Sequence, residues 1–216
     1  GYTLAFISGA SVSELKRMVS SKITETHHLL GTTGTNYTLI KKNDSIKRDL
    51  EIYNLTFKDK EKEEIMSAFE KLIALFNIES MTTKEDQLQD RESQITLSAI
   101  GRNAPFELKK NYDPDGQKRR MWCKWLTEHL GNEKYEIKYA GTTSIDITRK
   151  GLDKEWGIKK FSEHHDLSLK RILFLGDKIF PGGNDYPASK IVDCISVKNP
   201  DDTLRLLKEL FPQVLN

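Results

Sequence analysis

Cysteine is scarce in this sequence, long apolar runs are missing and net charge is almost nil, and each scarcity closes off a class of protein. Only two cysteines, Cys123 and Cys194, occur among 216 residues, far apart and at no zinc-binding spacing. They read as reduced thiols of a cytosolic protein, so a cytoplasmic location is expected. No apolar stretch approaches the ~20 residues that span a bilayer, and no signal peptide is present, so no membrane is expected as partner. Lys and Arg number 34 against 32 Asp and Glu, a net charge of +2. That balance gives no reason to expect nucleic acid or an anionic surface as a partner. Internal repeats and low-complexity segments are missing too. What remains is an ordinary globular composition, with 37% hydrophobic residues for a packed core and 31% charged residues for a solvated surface. The length suits one large domain, or a core with a second, smaller domain.

The most informative stretch is Arg171 to Asp185, RILFLGDKIFPGGND. Ile172 to Leu175 reads as a fully buried strand of a parallel sheet. It ends at Gly176-Asp177, which puts a carboxylate at the carboxyl tip, the edge where open α/β sheets bind ligands. Pro181-Gly182-Gly183 lets the backbone turn tightly and approach a ligand. Asn184 and Asp185 then add an amide and a second carboxylate. Two acids and an amide around a glycine loop suit a hard cation with oxygen ligands, Mg²⁺ above all. The competing reading, a βα turn whose aspartates merely cap a helix, suits a lone Gly-Asp better than the whole string.

Along the chain, Thr3–Ile7 reads as a strand ended by Ser8-Gly9, and Ser11 or Ser13 can cap a helix running to about Ser21. His27 to Gly34 reads as a strand with its exit loop, its two histidines being strand and turn residues rather than metal ligands. Tyr37–Lys41 and Asp49–Tyr53 can pair as a hairpin across Asn43-Asp44-Ser45. A helix over Lys60–Phe76 presents Ile65, Phe69, Leu72, Ile73 and Phe76 at helical spacing. From Glu79 to Gly101 the pattern is that of strands, clearest over Gln94–Ile100. A second helix, Asp115 to Leu130, carries Met121, Trp122, Trp125 and Leu126 as its core face. Tyr135–Tyr139 and Ser144–Thr148 complete a β-rich unit with two helices. After residue 150 the alternation of helix and strand returns: a helix to about His164, the motif strand, a strand over Val192–Val197, and a last helix opened by Pro200 with Leu204, Leu207, Leu210 and Phe211 on its face. Residues 1–55 and 150–216 therefore read as one α/β core, and 56–149 as an inserted α+β domain. Within the insertion, Ser144 and Asp146 are two apart on a strand and face one way. A hydroxyl and a carboxylate there could bind sugar hydroxyls, while Arg102 could grip a phosphate in a fork. The alternative is the polar outer face of an ordinary sheet.

The GDKIFPGGND string is similar to motif IV of the haloacid dehalogenase (HAD) superfamily. More narrowly, it resembles the loop of the phosphomannomutase branch among the C2-capped members. The resemblance implies an HAD-like Rossmannoid parallel-sheet core with a C2-type cap, and Mg²⁺ held by Asp177 and Asp185. Ser8 matches motif II, where a strand-tip hydroxyl bonds the transferring phosphoryl group. Lys154, in Gly151-Leu152-Asp153-Lys154, matches motif III, where an ammonium offsets phosphate charge. Arg102, Ser144 and Asp146 resemble the substrate residues of the cap, and Asn184 those of the core. A further family arginine falls on Lys109. The motif II region, Ser8-Gly9-Ala10-Ser11, follows the general superfamily pattern and lacks the Gly-Gly-Ser-Asp of the mutases. Motif I, an Asp-x-Asp that supplies nucleophile and general acid/base, is expected upstream of Gly1. The internal Asp113-Pro114-Asp115-Gly116 sits in a loop-like context before a helix and is rejected for that role.

The resemblance implies Mg²⁺-dependent phosphoryl transfer on hexose phosphates, interconverting mannose 1-phosphate and mannose 6-phosphate. Two alternatives stand beside it: a sugar-phosphate phosphatase, and a binding or regulatory protein without turnover. Residues 1–216 alone are expected to be inactive. The expected partner is a small sugar phosphate, with a homodimer as the candidate assembly.

Overall fold

The computed structural model of the chain describes residues 2–43 and 46–212, which fall into two units, Gly1–Gly151 and Leu152–Asn216. In the first unit, β1 (Leu4–Ile7) and β2 (His27–Gly31) pair in parallel from Leu4↔His27 to Ile7↔Leu30. A parallel pair needs a crossover. Here it is α1 (Val12–Leu15), which runs on into a π-helical turn over Lys16–Ser20. Of the two expected caps, Ser11 is the one used. Its hydroxyl accepts from Glu14 N, and the Glu14 carboxylate accepts in return from Ser11 N at 3.0 Å, a reciprocal capping box. β3 (Asn36–Asn43) and β4 (Ile46–Asn54) extend the sheet antiparallel in the order β1-β2-β3-β4. The expected hairpin is therefore present, and its turn residues 44 and 45 lie outside the described residues. Val12, Leu15, Leu29 and Ile40 form a small core against this sheet.

The two histidines of β2 are buried and structural. His27 Nδ1 donates to the Glu25 carbonyl at 2.8 Å, which leaves Nε2 to accept from the Ser20 hydroxyl at 2.7 Å. His28 Nδ1 meets the Tyr37 hydroxyl at 2.8 Å.

The rest of this unit is α+β. In chain order it comprises α2 (Asp59–Phe76), α3 (Lys84–Gln87), β5 (Leu88–Asp90), β6 (Gln94–Ser98), α4 (Phe106–Tyr112), α5 (Gln117–Leu130), β7 (Tyr135–Ala140) and β8 (Ser144–Arg149). The strands form an antiparallel sheet in the order β5-β6-β8-β7. Strand alternation sorts its two faces. Ile95 and Leu97 of β6 and Ile145 and Ile147 of β8 pack with Ile65, Phe69 and Leu72 of α2 and with Trp122 and Leu126 of α5. Each such buried side chain contributes about 1.5–3 kcal/mol. Gln94, Thr96 and Ser98 of β6, with Ser144 and Asp146 of β8, occupy the opposite face. Arg149 closes the unit: its guanidinium donates to the Thr56 carbonyl at 2.7 Å and pairs with Glu61 at 2.6 Å.

Three local expectations are corrected here. α3 lies inside the stretch read as strands; it is a single turn started by Thr83, whose hydroxyl accepts from Asp86 N at 3.3 Å. α4 makes a further helix that was not expected. It buries no side chain, and Phe106 is 69% exposed, so it writes no apolar period into the sequence. Met121 was placed on the core face of α5 but is 49% exposed; Trp122 and Leu126 carry that face.

In the second unit, α6 (Lys154–His164), β9 (Leu173–Gly176), β10 (Asp193–Ser196) and α7 (Pro200–Leu210) follow in order. β9 and β10 pair in parallel from Leu173↔Asp193 to Gly176↔Ser196. Asp153 caps α6 by accepting from Trp156 N at 3.2 Å. Asn199 caps α7 by accepting from Asp202 N at 2.9 Å, with Pro200 in the first turn.

Candidate functional site

β9 delivers Gly176-Asp177 to the carboxyl end of the parallel pair. The chain then folds back until Asp185, 2% exposed, lies against Gly176. A Cβ on Gly176 would stand 2.6 Å from Asp185 Oδ2, and one on Gly183 would stand 2.1 Å from the Lys178 carbonyl oxygen. Only glycine permits both approaches. Asp185 Oδ2 accepts from Lys178 N at 3.0 Å, while Oδ1 takes the ammonium of Lys154, the first residue of α6. The ammonium lies 5.6 Å from the centroid of the Phe174 ring. Either charge alone would be costly in this buried place; paired, they are tolerated.

Lys154 and Asp185 are thus brought together, and Asp177 and Asn184 stand exposed in the same loop. Both oxygens of Asp185 are engaged, whereas Asp177 presents an exposed carboxylate at the strand tip. Mg²⁺ takes only one or two protein carboxylates and keeps several waters or phosphate oxygens. That donor set fits Asp177 as ligand with Asp185 behind it. Among the described residues, no cluster of three or more His, Cys, Asp or Glu has the geometry of a metal site.

Ser8 belongs to the first unit, at the tip of β1. Its N–H donates to the Leu30 carbonyl at 3.0 Å and its carbonyl accepts from Thr33 N at 2.7 Å. Its Oγ accepts from Ala10 N at 3.1 Å. A hydroxyl that accepts from a tight turn still has a proton to donate.

A cleft of about 750 Å³ also opens in the first unit, with Glu14, Lys16, Asp49, Arg91, Glu92 and Arg102 in its lining. Arg102 pairs with Glu14 of α1. Its backbone N–H donates to the Asp86 carbonyl at 3.1 Å, and Lys109 Nζ donates to the Arg102 carbonyl at 2.8 Å. Lys109 therefore braces the loop that carries Arg102. Burial works to raise the Glu14 carboxyl, but the Ser11 N–H and the Arg102 guanidinium outweigh it and hold the group below the usual carboxylate range. Lys16 pairs with Asp49 at 2.9 Å.

Ser144 and Asp146 do share one face. Ser144 and Ser98 hydroxyls meet at 3.1 Å, Thr96 donates to Asp146 Oδ1 at 2.8 Å, and Gln94 Nε2 donates to Thr96 Oγ1 at 3.0 Å. Burial pushes the Asp146 carboxyl up, opposed in part by the Thr96 hydroxyl and the charge of Arg91. Arg91 is the residue that sequence reasoning missed. One guanidinium nitrogen donates to Gln89 Oε1 at 2.7 Å, and Nε is buried with no hydrogen-bond partner among the described residues. In the sequence Arg91 lies within the stretch read as strands, and only its position just before the clear alternation of Gln94–Ile100 could have marked it. Asp113 is held by Arg119 at 2.7 Å and accepts from Lys118 N at 3.0 Å, an anchor at the start of α5.

These two units define a mixed α/β protein of the HAD-like fold. An N-terminally truncated IMP-nucleotidase of Plasmodium falciparum aligns with a TM-score of 0.60 at 16% identity, over 99% of this chain and 62% of that one. A Streptococcus mutans UA159 protein aligns with a TM-score of 0.61 at 14% identity, over 94% of this chain and 77% of that one. At such identities the likeness is one of fold alone. The chain belongs to the eukaryotic phosphomannomutase family, an enzyme family whose sequence profile it matches over residues 4–213. The phosphomannomutase of Saccharomyces cerevisiae is 33% identical over 129 residues, 57% of this chain and 50% of that protein. That of Encephalitozoon cuniculi is 30% identical over 132 residues, 59% of this chain and 50% of that protein. The chain spans about half the length of the curated relatives it matches.

Proposed function

We propose that the whole protein is a Mg²⁺-dependent phosphotransferase of hexose phosphates that interconverts mannose 1-phosphate and mannose 6-phosphate. The observation that carries this reading is the buried Lys154–Asp185 pair behind an exposed Asp177 in the Gly-Asp-Lys, Pro-Gly-Gly-Asn-Asp loop, in a chain of this family. In this reading residues 1–55 and 150–216 form one core and 56–149 its cap, in a cytoplasmic homodimer. Among the described residues, no helix is long and apolar enough to cross a membrane.

Phosphoryl transfer depends mainly on positioning and on compensation of charge. Lys154, oriented by Asp185, offsets charge on the phosphoryl oxygens, and the Ser8 hydroxyl donates to one of them. Asp177 holds the metal, with Asp185 in support; the bound ion supplies Lewis-acid stabilisation of that charge. Asn184 orients the sugar from the core side. In the cap, Ser144 and Asp146 take sugar hydroxyls, and Arg102, braced by Lys109, grips the distal phosphate. The motif I carboxylates have no match within residues 1–216, so these residues contribute binding, charge compensation and closure.

A phosphatase is the second reading. It is favoured by Lys109, whose ammonium is spent on the Arg102 carbonyl and offers no second planar fork to a distal phosphate. The test supplies the whole protein with mannose 1-phosphate and a trace of hexose bisphosphate, and follows mannose 6-phosphate and free phosphate together. Mannose 6-phosphate without stoichiometric phosphate supports the mutase; free phosphate released as fast as substrate disappears establishes the phosphatase. Arg102→Ala should weaken hexose bisphosphate binding by about 1.5–3 kcal/mol, the scale of hydrogen bonds to charged groups.

A further inference from the structure

Glu14 has two separate duties. One carboxylate oxygen, Oε2, accepts from Ser11 N at 3.0 Å and so closes the capping box that starts α1, directly after the Ser8-Gly9-Ala10 turn. The other oxygen, Oε1, holds the guanidinium of Arg102. The backbone of Arg102 is fixed independently, by Asp86 and Lys109. What Glu14 determines is therefore where the guanidinium points, not where its loop lies. Around the same cleft Lys16 is paired with Asp49, whereas Arg91 has a neutral partner in Gln89 and an Nε without one among the described residues. An incoming anion thus meets Arg91, which no carboxylate holds among the described residues, and two cations already paired with carboxylates, Lys16 and Arg102.

We propose that Glu14 is a specificity-determining residue, a built-in competitor that occupies Arg102 until a phosphate dianion displaces it. The proposal rests on the assignment of Arg102 to the distal phosphate. A dianion with three acceptor oxygens outbids a single carboxylate oxygen for a planar fork, whereas a sugar hydroxyl or a monoanionic carboxylate does not. Exchange of Arg102 from Glu14 to phosphate leaves Oε2 on Ser11. The cap of α1 is therefore undisturbed by the exchange, and ligands that bring no phosphate to Arg102 leave the pair closed. Glu14 acts through Arg102 and is a positioning residue.

The test measures binding by calorimetry in the whole protein, with hexose 1,6-bisphosphate and with inorganic phosphate as separate probes. Glu14→Gln is the informative variant, because glutamine keeps the capping-box acceptor and removes only the charge. It should bind both probes about fivefold more tightly than wild type, the scale of a partly exposed ion pair. Arg102→Ala should bind both more weakly, and the double variant should match Arg102→Ala. Unchanged or weaker binding by Glu14→Gln, or tightening that survives in the Arg102→Ala background, overturns the proposal. If Glu14→Gln tightens inorganic phosphate while hexose bisphosphate binds no better than phosphate in any variant, the competitor role stands and the sugar-phosphate reading falls.

Discussion

Thr96 and Asp146 face each other across the β6–β8 pair, and the threonine hydroxyl donates to the carboxylate at 2.8 Å. Burial nevertheless raises the Asp146 carboxyl, because Thr96 and Arg91 offset only part of the desolvation. The folded protein then binds this proton more tightly than the unfolded chain does. Stability consequently falls as pH rises from the ordinary aspartate range through the raised value. Asp146→Asn should melt at a higher temperature than wild type at neutral pH, with the gap closing in mild acid. The same variant should bind hexose phosphates more weakly. A gap that widens in acid would reverse the sign and remove burial as the cause.

Lys154→Met leaves Asp185 buried and without its cation. The cost should be about 3–5 kcal/mol, the range for breaking a buried pair from one side. Adding Asp185→Asn to that variant should restore most of the loss, since the amide oxygen can still accept from Lys178 N. Urea midpoints of wild type and the two variants decide it. A single variant as stable as wild type would make the pair energetically idle.

Gly183→Ala tests the close approach in the loop. The Cβ would meet the Lys178 carbonyl oxygen at 2.1 Å, whereas a Cβ on Gly9 would meet nothing within 4 Å. The first substitution should cost about 1–3 kcal/mol through overpacking, and Gly9→Ala should stay within about 0.5 kcal/mol of wild type. Equal urea midpoints for the two variants would contradict the geometry.

Asp177 is exposed, so Asp177→Asn should leave stability within about 0.5 kcal/mol of wild type. Calorimetric titration with magnesium chloride should show Mg²⁺ affinity lost in that variant. Retained affinity would move the ligand role to another side chain.

The β9 loop was legible in the sequence because its determinants are local: an apolar run, a strand-tip acid, and glycines where backbone and side chain nearly touch. Ser11 was legible only as one of two candidate caps beside Ser13, and the capping box with Glu14 decides between them. The π-helical turn after α1 was not, because Lys16–Ser20 has the residue types of an ordinary helix end. α4 stayed hidden because a helix that buries nothing leaves no periodic trace. Arg91 stayed hidden for a different reason: the carboxylates its charge acts on, Asp146 of β8 and Glu14 of α1, lie far from it in sequence. Likewise, the expected roles of Arg102 and Lys109 said nothing of Glu14 or of the backbone contact between them. Pairings made across the fold are where sequence patterns stop speaking.

The hydrogen bond from Arg149 to the Thr56 carbonyl, 2.7 Å long, sets the exit of the α+β segment beside its entrance. A stretch of chain whose two ends meet is modular in the topological sense. Removing it leaves a gap that a few flexible residues can span, and lengthening it adds little closure entropy, which grows only with the logarithm of loop length. The four strands from β1 to β4 complete their pairing before that entrance, so exchanging the whole segment would disturb none of their registers. Selection could accordingly rework that segment while leaving those strands untouched.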